Sequence, residues 1–209
     1  MSPAYSSAFI GVAPYNWPIA SKAGAGISER SGTSYHLVIT PGHGGSPLDP
    51  INYILKNRMA DGVIFSRTEP DDARVKLLLE GNFPFVSHGR TEIGGHAFVD
   101  YDNFTFAYQA VKRLAAKGRR HVSMISANPR FTFGRHLRDG LVQAATEAGM
   151  RYELETRVTL DDPAEEIRKL TMTRSAQGDA PDAYVCRGEY AALAVIAGMG
   201  DRGLQVGRE

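Results

Sequence analysis

Short apolar runs alternate along this chain with segments of helical periodicity. The runs that predict buried strands span residues 8–13, 35–40, 63–65, 83–86, 121–126, 152–158 and 183–186. Between most of them, apolar residues recur at intervals of three and four, which is typical of amphipathic helices. Strands that alternate with helices predict an α/β fold, with parallel sheets that carry helices on both faces.

The clearest predicted helix begins at Asp102 or Asn103, either of which can act as N-cap, and ends at Gly118. Further helices are predicted at residues 50–59, 71–81, 134–148 and 189–199, and another begins at Pro163, with Asp162 as N-cap. A crossover helix is also expected within residues 18–33, because neighbouring parallel strands need a long connection. The chain ends with residues 203–209, a segment that would normally lead into another strand, so we expect an incomplete second half.

Polar side chains directly follow several predicted strands. Arg67 comes after the third strand, His88 and Arg90 come after the fourth, and Arg187 comes after the last. In open parallel sheets, ligands bind outside the carboxyl ends of the strands. These ends are therefore the place where the sequence predicts a ligand site.

The bulk composition excludes several classes of protein. The chain has 209 residues, a formal net charge of +1 and one cysteine, Cys186. The charge gives no global field for nucleic acid, and one cysteine rules out an internal disulfide and a multi-cysteine metal site. No apolar run approaches the roughly 20 residues of a membrane span, and the first residues lack the features of a signal peptide. We expect a cytoplasmic protein without a membrane segment.

Catalytic and cofactor motifs are not found. Residues 13–17, after the first strand, lack the glycine pattern of a dinucleotide site, and there is no phosphate-binding loop. His43, His88 and His96 are not spaced as metal ligands, and Cys186 lies in a predicted buried strand, where packing is its ordinary role. The sequence therefore predicts no catalytic residue, no metal and no cofactor.

A set of short motifs occurs in a fixed order over nearly the whole chain. They are FIGV at residues 9–12, ADGVI at 60–64, FPFV at 83–86, VDYDN at 99–103, LAAKGRRHV at 114–122, RDGL at 138–141 and PDAYVC at 181–186. Their order and spacing resemble the effector-binding domain of the LacI/GalR (lactose-repressor) family of bacterial transcription regulators.

The resemblance implies two similar α/β lobes with a small molecule, usually a sugar, between them. By that resemblance residues 1–118 form the N-terminal lobe, and residues 119–209 form a truncated C-terminal lobe. It also implies a homodimer, with its dimer surface on the first lobe. The family reads operator DNA through a helix-turn-helix head that is absent here, so the chain would sense a ligand without binding an operator tightly.

Asp102 is the first ligand-binding candidate that the resemblance implies. The family uses an aspartate at this place to hold sugar hydroxyls, and a carboxylate can accept hydrogen bonds from two of them. The alternative is a helix N-cap without a ligand role. Asp100 is a second candidate.

The family also has an arginine three residues before the glycine that matches Gly140, where this chain has Leu137. Arg135 and Arg138 are three residues apart and share a helix face, so either can replace it; a solvated helix face is the alternative. Phe131, together with Phe133, could stack on a sugar ring or simply pack.

The remaining candidates follow strands. For these candidates the alternative to ligand binding is ordinary packing, and for Arg90 it is also a role in the hinge between the lobes. Arg187 or Glu189 would replace the side-chain amide that the family often has at the position of Gly188. The strand-end candidates are Tyr15, Trp17, Arg67, His88, Arg90, Arg187 and Glu189.

Three function classes stay open at this point. The first is the effector-binding core of a LacI-type regulator. The second is a periplasmic sugar-binding protein of the same fold, which needs an export signal. The third is a Rossmann-like enzyme, which the missing glycine motif disfavours.

Overall fold

The computed structural model describes residues 7–12, 36–41 and 45–207 of the chain. Contacts divide the chain into two compact units, Met1–Tyr101 and Asp102–Glu209. Each unit is built on a parallel sheet with helices, which confirms the predicted α/β class.

The first unit holds a five-stranded sheet in the order β2-β1-β3-β4-β5, and every neighbouring pair is parallel. Its elements are β1 (Ser7–Val12), β2 (His36–Pro41), α1 (Asp49–Asn57), β3 (Gly62–Ser66), α2 (Ala73–Glu80), β4 (Phe85–His88) and β5 (Ala97–Val99). Its described core joins α1, β3 and α2 through the buried side chains of Ile51, Ile54, Val63, Phe65, Val75 and Leu78.

The second unit holds a three-stranded parallel sheet in the order β7-β6-β8. Its elements are α3 (Asn103–Ala116), β6 (His121–Ile125), α4 (Thr132–Glu147), β7 (Arg151–Leu154), α5 (Ala164–Arg174), β8 (Ala183–Cys186) and α6 (Glu189–Gly200). In both units the first strand lies between the second and the third: β1 lies between β2 and β3, and β6 lies between β7 and β8. The two units therefore begin with the same topology.

β6 is the central strand of the second unit, and all five of its residues are buried. Alternate residues of a strand point to opposite faces, so a strand buried on both faces reads as a continuous apolar run. Val122 and Met124 belong to one core cluster with α3 and α4. Ile125 belongs to another cluster with α5 and α6.

Glycines let the paired helices of the second unit approach closely. A Cβ built on Gly140 of α4 would overlap the carbonyl oxygen of Phe104 in α3. A Cβ on Gly198 of α6 would overlap the carbonyl oxygen of Arg168 in α5. The first contact fixes how closely α3 lies on α4, and the second does the same for α5 and α6.

Several predicted boundaries differ from the structure. β5 was not predicted, and β4 begins two residues later than expected, so His88 is its last residue rather than part of a loop. β7 ends at Leu154, before the predicted end at residue 158. The expected crossover helix within residues 18–33 lies outside the described residues. α3, which we assigned to the first lobe, packs on α4 within the second unit; the lobe limits 1–118 and 119–209 stay a prediction.

Candidate functional site

The candidate site of the second unit lies at the carboxyl ends of β6 and β8. In the strand order β7-β6-β8, the two strands that follow β6 in the chain lie on opposite sides of it, and such switch points are where open α/β sheets bind ligands. Ile125 pairs with Cys186 at this end. The next residues, Ser126 and Arg187, therefore start the two segments that form the candidate site of this unit.

Asp102 is the N-cap of α3. Its Oδ1 atom accepts a hydrogen bond from the backbone N–H of Thr105 at 2.8 Å. This cap satisfies one of the N–H groups that every helix start leaves open. The residue is exposed, and its ligand role stays a prediction.

Arg187 is held by α3. Its Nε atom donates a hydrogen bond to Asn103 Oδ1 at 3.0 Å, and its guanidinium carbon lies 5.7 Å from the centre of the Phe106 ring. Asn103 is 2% exposed. Sequence reasoning considered Asn103 only as a second N-cap candidate. The signal that could have selected Asn103 is an amide, rather than an apolar residue, at the first position of a predicted helix.

The loop from β6 to α4 folds tightly on the helix start. The carbonyl oxygen of Asn128 accepts from the Phe131 N–H at 3.1 Å, and its Oδ1 atom accepts from the Arg130 N–H at 3.0 Å. A Cβ on Gly134 would lie 2.8 Å from the Asn128 carbonyl oxygen, so glycine is needed for this approach. Arg135 donates from Nε to the Pro129 carbonyl at 3.2 Å and holds the same loop.

The aromatic and charged candidates of α4 have contacts of their own. Phe131 is buried and stacks on Phe133, with ring centres 5.8 Å apart. Arg138 is exposed and pairs with Asp139 at 2.7 Å. Glu189 is exposed in the first turn of α6. The alternatives given by the sequence, ordinary packing for Phe131 and a solvated helix face for Arg138, are compatible with these contacts, and the ligand roles stay predictions.

Two hydroxyl groups near this end of the second unit are buried without a hydrogen-bond partner in the described part of the chain. They are Ser126 Oγ, directly after β6, and Thr132 Oγ1, in the first residue of α4. α4 also has no side-chain cap. Buried polar groups are normally paired, with protein or with water. Sequence reasoning did not select either residue, since serine and threonine at loop ends carry no distinctive pattern.

In the first unit, Arg90 holds the carboxylate of Asp100. Both its backbone N–H and its Nε atom donate to Asp100 Oδ2, at 3.1 and 2.9 Å. The Asp100 side chain is almost buried. His88 meets the Tyr101 ring edge-on at 5.8 Å. Arg90 and His88 therefore both contact the segment that leaves β5, and their ligand roles, like the hinge role of Arg90, stay predictions.

Arg67 lies at the end of β3 in the left-handed backbone region, with φ of 59°. Non-glycine residues are uncommon in this region, and they are found more often at functional sites. Arg74 fixes the turn, since its terminal nitrogens donate to the carbonyls of Ser66 and Arg67 at 3.2 and 3.0 Å. Arg74 is itself paired with the buried Asp72 at 2.7 Å. Burial alone would raise the pKa of Asp72, but the bonds from Arg74 and two backbone N–H groups lower it.

Tyr15 and Trp17 lie outside the described residues, so their contacts are not discussed. Cys186 is free, and burial raises the pKa of its thiol to about 12, which disfavours the reactive thiolate at neutral pH. Among residues 7–12, 36–41 and 45–207, no cluster of histidine, cysteine and carboxylate side chains could hold a metal ion. Within the same residues, no helix has both the length and the apolar character needed to span a bilayer.

No protein-family model matches the chain. Among curated proteins, it is 27% identical over 190 residues to the HTH-type transcriptional regulator AglR of Rhizobium meliloti, which is 88% of this chain and 53% of AglR. It is 26% identical to the HTH-type transcriptional repressor PurR of Glaesserella parasuis, over 85% of this chain and 52% of PurR. The chain spans about half the length of these relatives.

Solved structures share the fold. A LacI-family regulatory protein from Chloroflexus aggregans has a TM-score of 0.73 at 20% identity, covering 96% of this chain and 75% of that one. The regulator CelR in complex with cellobiose has a TM-score of 0.75 at 21% identity, over 96% and 64%. A solute-binding protein of Burkholderia multivorans has a TM-score of 0.74 at 12% identity, over 95% and 75%.

The fold of each unit and the sequence relatives point to the same class of protein. The chain is similar in sequence to HTH-type transcriptional regulators, and it has the periplasmic-binding-protein-like α/β fold of LacI-family regulators and of a solute-binding protein. The resemblance drawn from the sequence motifs is confirmed.

Proposed function

We propose that this chain is the sugar-sensing core of a bacterial transcription regulator. The observation that carries the proposal is the similarity to HTH-type regulators, which extends over 88% of the chain. A sugar effector is supported by the CelR structure, which was solved with cellobiose. The candidate site supports it too, because Asp102 and Arg187 supply a carboxylate acceptor and a guanidinium donor, the two groups that suit hydroxyl pairs.

Linkage would connect the effector to DNA. An effector that binds one conformation of the regulator better than another shifts the population toward that conformation. If operator DNA prefers one of these conformations, the effector changes operator affinity by the same factor by which the operator changes effector affinity. Operator DNA would be read by a helix-turn-helix head outside this chain, and the protein would work in the cytoplasm, where that DNA lies. Effector binding, rather than turnover, is the proposed activity.

A substitution of Asp102 tests the sugar site. We expect a bound sugar to raise the melting temperature of the wild-type chain by mass action. Asp102→Asn should weaken sugar binding at least tenfold, because the ionised acceptor is lost, while asparagine still caps α3. The measurement is a thermal-shift titration of both proteins with cellobiose and a panel of neutral sugars and sugar acids.

Asp102→Ala is the companion variant, and it should lose the cap as well, at a cost of about 1 kcal/mol of stability. A lower melting temperature in Asp102→Ala with an unchanged sugar response in both variants would remove Asp102 from the site. No response of the wild-type chain to any sugar or sugar acid would count heavily against a sugar effector.

A homodimer is the second part of the proposal, and α6 supplies the surface. The outer face of this helix is apolar: Tyr190, Leu193 and Ile196 are 61%, 63% and 48% exposed. Glu189 precedes this stripe and Arg202 follows it. Two copies of α6 that pack antiparallel about a two-fold axis would cover both stripes and bring Glu189 of one copy near Arg202 of the other. This surface lies in the second unit, whereas the sequence resemblance suggested the first lobe.

Leu193→Glu should weaken this dimer at least tenfold, because it buries an unpaired charge in an apolar contact. Sedimentation equilibrium of both proteins at micromolar concentration measures the change. Leu79→Glu, on α2 of the first unit, is the matched control, since Leu79 is also an exposed leucine. A monomeric wild-type chain, or equal effects of the two substitutions, would contradict the α6 surface.

The alternative is a periplasmic sugar-binding protein, favoured by the fold that the chain shares with the Burkholderia protein. The complete gene separates the two. An upstream helix-turn-helix supports the regulator, and a signal peptide supports the transport protein.

A further inference from the structure

Arg187 occupies a defined position at the switch point of the second sheet. It directly follows Cys186, the last residue of β8, which pairs with the last residue of β6. The backbone of the next residue, Gly188, is extended, and α6 begins after it. The Arg187 side chain nevertheless reaches α3 through its bond to Asn103, which lies 84 residues earlier in the chain. The contact therefore joins two elements of the second unit that are distant in sequence.

We propose that Asn103 is a positioning residue for the effector: it orients the Arg187 guanidinium to receive two neighbouring oxygen atoms, from a vicinal diol or a carboxylate. This inference rests on the proposed function. Arg187 would touch the effector, and Asn103 would act only through Arg187.

Helix capping does not explain Asn103. The preceding residue, Asp102, provides the cap through its bond to Thr105. A buried side-chain amide costs stability unless it is hydrogen-bonded, so an apolar residue would serve this position better if packing were its only role. The bond from Arg187 Nε satisfies the amide oxygen. The contact with Arg187 therefore gives a reason for a buried amide at this position.

Two contacts fix the guanidinium plane. Asn103 holds Nε at 3.0 Å, and the Phe106 ring lies 5.7 Å from the guanidinium carbon. A guanidinium presents its donors in a rigid fork, so fixing Nε and the plane also fixes the directions of the terminal nitrogens. A ligand that binds a preoriented arginine loses less side-chain freedom, and this gain corresponds to roughly fivefold in affinity.

The contact can be tested without any ligand by NMR of the Arg187 side chain. The Nε–Hε signal, assigned by its loss in Arg187→Lys, should exchange slowly with water in the wild-type chain. Asn103→Asp keeps the acceptor oxygen and should keep the slow exchange. Asn103→Leu removes the acceptor and should give fast exchange. Equal exchange in the wild type and Asn103→Leu would overturn the positioning contact.

Titration calorimetry with cellobiose, glucose and glucuronate tests the use of this contact. Asn103→Leu should raise Kd about fivefold for the sugar that binds, and Asn103→Asp should stay near the wild type. Glucose and glucuronate differ at one carbon, so their ratio tells whether the bound oxygens belong to a diol or to a carboxylate.

A double-mutant cycle separates positioning from a general structural effect. In the Arg187→Ala background, Asn103→Leu should have no further effect on Kd. A fivefold loss that persists in that background would overturn the proposal. If none of the three sugars binds the wild-type chain, both the sugar effector and the effector role of Asn103 are overturned, while the NMR exchange still shows separately whether the contact exists.

Discussion

Gly140→Ala is expected to destabilise the second unit by about 3 kcal/mol, the upper range for an added group in a packed interior. The new Cβ would overlap the Phe104 carbonyl oxygen and lie 3.2 Å from Ala107 Cβ. The Phe104 carbonyl belongs to the first turn of α3 and cannot move aside without displacing the start of that helix, so α3 and α4 would have to separate there. Alanine favours a helix over glycine by about 1 kcal/mol, which is too little to offset the clash.

Urea unfolding of the variant measures this change as a lower midpoint. Gly200→Ala is the matched control, because Gly200 ends α6 and a Cβ there meets nothing within 4 Å. That control should be neutral or should gain up to about 1 kcal/mol. Equal stabilities of Gly140→Ala and Gly200→Ala would contradict the close approach of α3 and α4.

Arg174→Met is expected to destabilise the second unit by about 2 kcal/mol, below the usual 3–5 kcal/mol for breaking a buried pair because Glu153 is partly exposed. Arg174 is 7% exposed and lies at the end of α5. It donates to both carboxylate oxygens of Glu153 in β7 and, at 3.0 Å, to Asp179 Oδ1. His121 Nε2 lies 2.9 Å from the same Glu153 carboxylate. The substitution leaves two carboxylates without their shared partner.

The loss should depend on pH. The hydrogen bond from Arg174 is the largest cause that lowers the pKa of Glu153 below its ordinary 4.5. A lowered folded-state pKa gives stability that is complete above the ordinary value and is lost as pH falls through the folded value. The difference between wild type and Arg174→Met should therefore be largest near pH 7 and should shrink below pH 4.5.

Arg168→Met is the control for this substitution. Arg168 lies on the same helix and pairs with Asp201 at 2.7 Å, but its side chain is 44% exposed. Exposed ion pairs contribute about 0–1 kcal/mol, because water screens them. Thermal or urea unfolding at several pH values compares the two variants. An Arg168→Met loss as large as that of Arg174→Met would show that burial does not set the difference.

Local patterns predicted most elements because each carries its own signal. β6 is rich in apolar residues (Val122, Met124 and Ile125) since it is buried on both faces, and α3 has helical spacing together with Asp102 as cap and Gly118 at its end. β5 has three exposed residues at the edge of its sheet, so its apolar pattern does not mark it as buried. Its position beside β4 is a property of tertiary pairing, which spacing along the chain does not record.

The candidate site was predictable in location and less so in detail. The rule that ligands bind at carboxyl strand ends selected Arg187, which the structure places at the switch point. The partner of Arg187 is Asn103, 84 residues away, and no local pattern connects them. The orphaned hydroxyls of Ser126 and Thr132 become visible only when burial is known. Arg138, in contrast, was selected by its spacing from Gly140 and pairs with its neighbour Asp139 on the surface.

The central claim is that a sugar bound by this chain controls operator binding. The most direct measurement uses the protein expressed from its complete gene and an operator selected from random DNA. Fluorescence anisotropy measures operator affinity with and without the sugar that raises the melting temperature. Allosteric coupling of about 1–3 kcal/mol predicts a change in operator Kd of at least fivefold, and Asp102→Asn should abolish it. An operator affinity that stays the same at saturating sugar would contradict the account.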